Sequence, residues 1–197
     1  SEKNKIRIAL QTGGPDTIKM LDIGSSHQPM SYSHEAHNII SEFISTDFIQ
    51  INDQVNKLMV SRAIELLEPK KTDRVIDLFC GIGNFSLPLA RYAKEVLGFE
   101  LLEELVHRAE HNAKLNNIEN IKFLTSDLFK LENNKSNLKC DKLLLDPARS
   151  GALEVVKNIK SFNAQKIVYV SCHPGTLARD ADILVNQGNY KLDGAGI

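Results

Sequence analysis

Apolar and polar residues alternate through most of Ile6-Arg7-Ile8-Ala9-Leu10-Gln11, the pattern of a half-buried strand. Gly13-Gly14-Pro15-Asp16 predicts a turn, and Ile18 to Ile23 can return as the partner strand. Gly24 to Ser33 is polar and turn-rich, so residues 1–33 read as a β-hairpin with a loop. His34 to Ile44 fits a short strand or a helix equally well. Asp47 to Asn52 alternates again. Beyond it Val55, Leu58, Met59, Ala63, Ile64 and Leu67 recur at helical spacing, and Pro69 to Asp73 close that helix.

From Arg74 strands and helices take turns. Val75-Ile76-Asp77-Leu78 is a strand, followed by a turn with Gly81 and Gly83 and a helix over Phe85 to Ala93. Glu95 to Glu100 is the next strand, Leu101 to Asn116 a long helix, and Ile121 to Leu124 a third strand closing at Asp127. A short segment from Leu128, helical in pattern, turns polar by Asn137. Leu143 to Pro147 is a buried strand, Ala152 to Ser161 a helix, and Ile167 to Cys172 a strand whose continuous apolar run predicts a central place in the sheet. Thr176 to Gln187 forms a helix capped at Gly188, and Tyr190 to Leu192 begins one more strand. Alternation of this kind implies right-handed crossovers and a doubly wound parallel sheet, an α/β Rossmann-like fold. A small β-rich piece, residues 1–46, precedes an α/β unit of residues 47–197.

Ligands of such sheets bind at the carboxyl ends of the strands. Asp77, Glu100, Asp127, Asp146 and Cys172 all fall at or near those ends. A nicotinamide site would carry a third glycine where this chain has Ser86. S-adenosylmethionine has no pyrophosphate and needs only a loop that accepts its aminocarboxypropyl end. Glu100 can accept from both ribose hydroxyls, and Asp127 from the adenine amino group. The order acid, glycine loop, acid, acid fits adenosylmethionine better than NAD.

Composition adds limits. The 197 residues are 42% hydrophobic and 25% charged, enough for a sizeable core, and the net charge of −1 does not advertise a nucleic-acid binder. The three cysteines, Cys80, Cys140 and Cys172, are widely spaced and form no CxxC pair. That argues against a disulfide framework or a zinc site and for a reducing, cytoplasmic setting. No apolar run approaches the ~20 residues of a membrane span, and no signal-peptide core follows the first residues.

Three motifs then stand in order: Asp77-Leu78-Phe79-Cys80-Gly81-Ile82-Gly83-Asn84-Phe85, Leu144-Leu145-Asp146-Pro147-Ala148-Arg149-Ser150-Gly151, and Val168-Tyr169-Val170-Ser171-Cys172-His173-Pro174-Gly175-Thr176-Leu177-Ala178-Arg179-Asp180. Together they resemble the RNA (uracil-5)-methyltransferase family, and within it the bacterial 23S rRNA enzymes. Asp47 to Asn52 resembles the segment leading into that family's catalytic domain, and the resemblance covers residues 47–192. It implies a class I adenosylmethionine-dependent methyltransferase fold, RNA (23S rRNA) as partner and S-adenosylmethionine as cofactor, with no obligate protein partner evident. The cofactor would be held by Gln50, Phe79, Asn84, Glu100 and Asp127, with Gly81 and Gly83 in its loop. Asp146 would lie near both methyl donor and base, and Cys172 would be the nucleophile.

Carbon 5 of uracil is a poor nucleophile. A thiolate adding at carbon 6 turns it into an enolate that can take up a methyl group, after which a base removes the carbon 5 proton and the thiolate leaves. Cys172 sits at a strand end before a helix N-terminus, whereas Cys80 reads as packed for its small size. Asp146-Pro147-Ala148-Arg149 lacks the aromatic of adenine N6 methyltransferases and the Pro-Cys pair of DNA cytosine enzymes. Arg149 can contact phosphate or base, or simply form a surface ion pair. A target uridine would have to leave its stack.

Three departures accompany the resemblance. His173 follows the nucleophile where the family has asparagine. The family's general base, a glutamate of a C-terminal segment, has no counterpart here. Neither the N-terminal RNA-binding β-barrel nor the cysteine-rich iron–sulfur region of the 23S rRNA enzymes is recognisable, so an iron–sulfur cluster is expected only in a region outside these residues. The chain thus reads as a piece of a larger enzyme with impaired turnover. An RNA cytosine-5 or tRNA uracil-5 methyltransferase, an NAD-linked dehydrogenase and a non-catalytic RNA-binding module remain as alternatives.

Overall fold

A computed structural model describes residues 9–13, 18–20, 30–130 and 138–196. Parts of the expected hairpin, its turn and its loop (residues 1–8, 14–17 and 21–29) and the polar stretch 131–137 lie outside the described residues.

Strand β1 (Ala9–Gln11) pairs antiparallel with β2 (Ile18–Met20), Ala9 opposite Met20, as the alternation predicts. Strand β3 (Met30–His34) follows, then a 3₁₀ turn over Glu35–His37 and strand β4 (Ile39–Phe43). Asn38, left-handed at φ 52°, reverses the chain so that Met30 faces Phe43 and His34 faces Ile39. Met30 to Ser33 were expected in a loop. They form a strand because cross-strand pairing and the polar contacts of Tyr32 and His34, not apolar alternation, hold them.

The outer edge of β4 is satisfied by a helix. Asn112 accepts from Glu42 N at 2.9 Å and donates to Glu42 O at 3.1 Å; Asn116 accepts from Ile40 N at 2.8 Å and donates to Ile40 O. Four residues along a helix rise ~6 Å and two along a strand ~6.6 Å, so the two amides match alternate strand residues.

Asp47 to Asn52 forms no strand. Asp47 closes a turn with Ile44, and Phe48 and Ile51 stand 80% and 96% exposed. Asn52 then caps helix α1 (Asp53–Leu67), accepting from Val55 N. The helix buries Asn56, Val60, Ala63, Ile64 and Leu67, while Val55 and Leu58, expected inside, face out because the packed stripe is offset from them.

Five parallel strands make the main sheet: β5 (Arg74–Leu78), β6 (Glu95–Glu100), β7 (Ile121–Thr125), β8 (Lys142–Leu145) and β9 (Lys166–Tyr169), in the order β7-β6-β5-β8-β9. Helices α2 (Ser86–Ala90), α3 (Glu103–Leu115), α4 (Leu153–Lys157) and α5 (Pro174–Asn186) connect or follow them. Val75 and Leu144 pack on the side of α1, α2 and α3, whereas Ile76, Leu78, Leu143 and Leu145 pack on the side of α4 and α5. Burial of both faces explains the unbroken apolar runs and is the doubly wound arrangement expected. The order reverses between β5 and β8, so their carboxyl ends flank the switch-point crevice.

Four expectations need correction. The helix expected over Phe85 to Ala93 is five residues long, because residues 81–85 are spent in turns and Tyr92 already bonds back to Leu89. The helix expected over Ala152 to Ser161 breaks at Asn158 into α4 and a 3₁₀ turn, Ile159–Ser161. Strand β9 ends at Tyr169 and lies at an edge of the sheet among the described residues, its side chains half-buried, so its apolar run reflects two packed faces and not two strand neighbours. Tyr190 to Leu192 form no strand: Tyr190 donates to Leu184 O through its backbone and to Ala164 O through its hydroxyl, folding the segment back over α5. No helix among the described residues is long and apolar enough to cross a membrane.

Candidate active site

The loop after β5 is bent by three left-handed residues, Phe79 (φ 67°), Gly81 (φ 54°) and Gly83 (φ 94°). A Cβ on Gly83 would meet Leu87 at 3.0 Å, whereas one on Gly81 would meet nothing within 4 Å. Gly81 is therefore needed for its backbone conformation, and the space beside it is open to a ligand. Phe79 is a bulky residue in a conformation that costs ~1–2 kcal/mol. It is held by the Cys80 N–H to Phe99 O bond at 3.0 Å, the Gly83 N–H to Cys80 O bond at 2.9 Å, and a ring contact with Phe129 at 5.8 Å. Strain kept in place this way is a mark of functional loops.

Glu100, the last residue of β6, ties that loop to the next strand. One carboxylate oxygen accepts from Gly81 N at 3.0 Å; the other accepts from Leu101 N at 2.7 Å and Leu102 N at 3.3 Å. Asp127, past β7, accepts from Phe129 N at 3.0 Å and pairs with Lys130 at 3.2 Å.

Asp77 lies within β5, fully buried, and accepts from the Ser86 hydroxyl at the start of α2. Its other oxygen has no hydrogen-bond partner. Burial, reinforced by Asp146 and Glu100 and opposed by the Ser86 bond, pushes its carboxyl up to about 8. Ser86 thus has a reason to stand where a dinucleotide loop has glycine. Asp146 follows β8 and donates its N–H to Leu78 O across the switch point; burial raises its carboxyl to about 6.

The side chain of Asn84 is turned toward the N-terminal strands. Its oxygen accepts from Tyr32 at 3.0 Å, from His34 Nε2 at 3.1 Å and from Asn56 at 3.0 Å, and its nitrogen donates to Asn56 at 2.9 Å. Burial lowers the pKa of His34, keeping it a neutral donor. Tyr32, His34 and Asn56 were not singled out in the sequence, and neither was Asn112, whose amide joins Glu42 O to Ile82 O of the glycine loop. Their only sequence signal is polarity on otherwise packed elements. Gln50 is half-buried in the segment before α1.

The three thiols differ sharply. Cys80 and Cys140 are buried, and burial raises the first well above its usual range and the second to about 12. Cys172 is exposed, three residues past β9 and two before the first residue of α5. His173 is the N-cap of α5: its Nδ1 accepts from Thr176 N at 3.2 Å. Asparagine is a favoured N-cap, so histidine here takes over a capping role. Since β5, β6, β8 and β9 run parallel, Cys172, Asp146, the glycine loop and Glu100 all lie at the carboxyl end of the sheet.

Residues 21–189 match the family model described as tRNA (Uracil-5-)-methyltransferase. Over the whole chain the sequence is 46% identical to the 23S rRNA (uracil(1939)-C(5))-methyltransferase RlmD of Francisella tularensis subsp. novicida and 44% identical to that of Legionella pneumophila. The chain spans 45% of the length of each. Among solved structures it is similar to the Pyrococcus abyssi tRNA (uracil-54, C5)-methyltransferase in complex with S-adenosyl-L-homocysteine, with a TM-score of 0.70 and 26% identity over 84% of this chain and 39% of that one. The chain belongs to the tRNA (uracil-5-)-methyltransferase family.

Proposed function

We propose that this chain carries the catalytic core of an enzyme that uses S-adenosylmethionine to methylate carbon 5 of a uridine in 23S rRNA, through a covalent adduct of Cys172 at carbon 6. Such a substrate puts its work in the cytoplasm. The observation that carries the proposal is the placement of the one exposed thiol among the described residues, Cys172, at the carboxyl end of the sheet, which also bears the strained glycine loop and Asp146. The open space at Gly81 and the carboxylate of Glu100 suit the cofactor, which supplies an electrophilic methyl group when bound. Phe79, Gly81, Gly83, Glu100, Asp127 and Asp146 would line its site, with Gln50 at the near end of α1. Asn84, whose amide is engaged by Tyr32, His34 and Asn56, would act by fixing the loop.

Cys172 has the access a nucleophile needs; Cys80 and Cys140, buried and held as thiols, do not. Its sulfur would add to carbon 6 of the flipped uracil, moving the π electrons to carbon 5 and carbonyl oxygen 4. Asp146, raised by burial, can donate or accept a proton next to that ring. Once carbon 5 is methylated and has lost its proton, the sulfur leaves and the 5,6 double bond returns.

The greater likeness to the 23S rRNA enzymes favours that RNA over tRNA. Mapping 5-methyluridine in rRNA and tRNA from cells lacking the gene tests this. Loss of one 23S rRNA site is expected; an unchanged 23S rRNA with a lost tRNA site would overturn the assignment.

A further inference from the structure

Beyond the groups that would meet substrate, the residues that follow Cys172 and Asp146 are bound to one another through a buried acid. Asp180, on α5, is fully buried. One of its carboxylate oxygens accepts from Ala152 N and from the Tyr169 hydroxyl, each at 2.7 Å. The other accepts from Arg179 Nε at 2.8 Å and lies 2.7 Å from Arg179 Nη2. Arg179 also donates to Ser150 O at 2.9 Å, and Thr176 donates to Arg149 O at 3.1 Å. Gly151 must stay glycine: at φ 76°, a Cβ there would lie 2.6 Å from both Asp180 and Arg179. The loop after β8, which begins at Asp146, is therefore gripped at Arg149, Ser150 and Ala152 by the helix that starts just beyond Cys172.

We propose that Asp180 is a positioning residue for methyl transfer: it locks the Asp146 loop to α5, so that the carboxyl group after β8 and the thiol after β9 keep one relative position. The proposal rests on the reading of Cys172 and Asp146 given above. Two observations separate this role from plain stabilisation. Every bond of the cluster that leaves α5 goes either to the loop after β8 or to Tyr169, and Tyr169 is the last residue of β9, at the root of the Cys172 loop. Burial and the Asp180 carboxylate raise the Tyr169 hydroxyl, so it remains a donor. A carboxylate is required because all four neighbours are donors; an amide would turn an N–H toward one of them.

The test uses the full-length enzyme and RNA in which the target uridine is 5-fluorouridine, whose adduct cannot lose a carbon 5 proton. Asp180→Asn and Tyr169→Phe are expected to slow adduct formation by about 10- to 100-fold per folded molecule, because misplacement on the ångström scale costs that much, while adenosylmethionine and RNA dissociation constants stay within about twofold. Leu67→Ala, in the core of α1 on the opposite face of the sheet from Tyr169 and α5, serves as a control destabilised without loss of the clamp, and should keep the wild-type rate per folded molecule. Should Asp180→Asn not fold, Tyr169→Phe, which removes one donor only, decides. Wild-type rates in the variants, or an equal loss in Leu67→Ala, would overturn the positioning role. A wild-type enzyme that forms no adduct at Cys172 would instead overturn the proposed chemistry, and this inference with it.

Discussion

Replacing Asp77 by asparagine should change how stability depends on pH more than it changes the fold. Asp77 is fully buried, is met by one hydroxyl, and faces Asp146 and Glu100; its carboxyl is raised from 3.8 to about 8. The folded state therefore holds a proton that the unfolded chain releases above pH 4, so stability falls as pH rises from about 4 to about 8. At ~1.4 kcal/mol per pH unit, that span costs on the order of 5 kcal/mol, a large share of an ordinary domain's stability. The asparagine amide would keep the shape and an acceptor for Ser86 without this cost. Urea unfolding of both proteins at pH 5 and pH 8 should show Asp77→Asn gaining on wild type by about 4 kcal/mol between the two conditions. A gap between the two proteins that is the same at both pH values would refute the reasoning.

Three further outcomes follow from the geometry. Asn112→Ala removes the bonds to Glu42 and Ile82 and should cost about 2–4 kcal/mol in urea unfolding, since it strands buried backbone groups; a loss under about 0.5 kcal/mol would show that the amide ladder is not needed. His173→Asn should keep stability within about 0.5 kcal/mol, whereas His173→Ala should lose about 1 kcal/mol with the cap, and equal effects would remove the capping role. A thiol reagent added to native protein should label Cys172 and spare Cys80 and Cys140, as read by peptide mass; early labelling of Cys80 would contradict its burial.

The parallel sheet was legible in the chain because β5, β6 and β8 bury both faces, and such strands announce themselves as short apolar runs ending in acids. The less buried elements were not. Strand β3 is polar and exists through its pairing with β4, while Asp47 to Asn52 alternates yet has no strand to pair with. The run Ile167 to Cys172 suggested a central strand, although burial of two faces says nothing about neighbours on the two edges. At the site, the strand-end acids and the three thiols could be named from their places in the α/β order, and exposure then distinguished Cys172 from the others. What could not be read were side chains meeting across the fold. Asn84 reads as a loop residue, and only the folded chain brings Tyr32 and His34, some 50 positions away, onto its amide. Asp180 likewise reads as a helix acid until Tyr169 and Ala152 are seen against it.

The central claim is that Cys172 attacks uracil. Full-length enzyme incubated with adenosylmethionine and RNA bearing 5-fluorouridine at the target position should yield a protein–RNA species stable to denaturation, with the nucleotide on the peptide containing Cys172 and no such species from Cys172→Ala. An adduct mapped to another residue, or full methylation of ordinary RNA by Cys172→Ala, would contradict it.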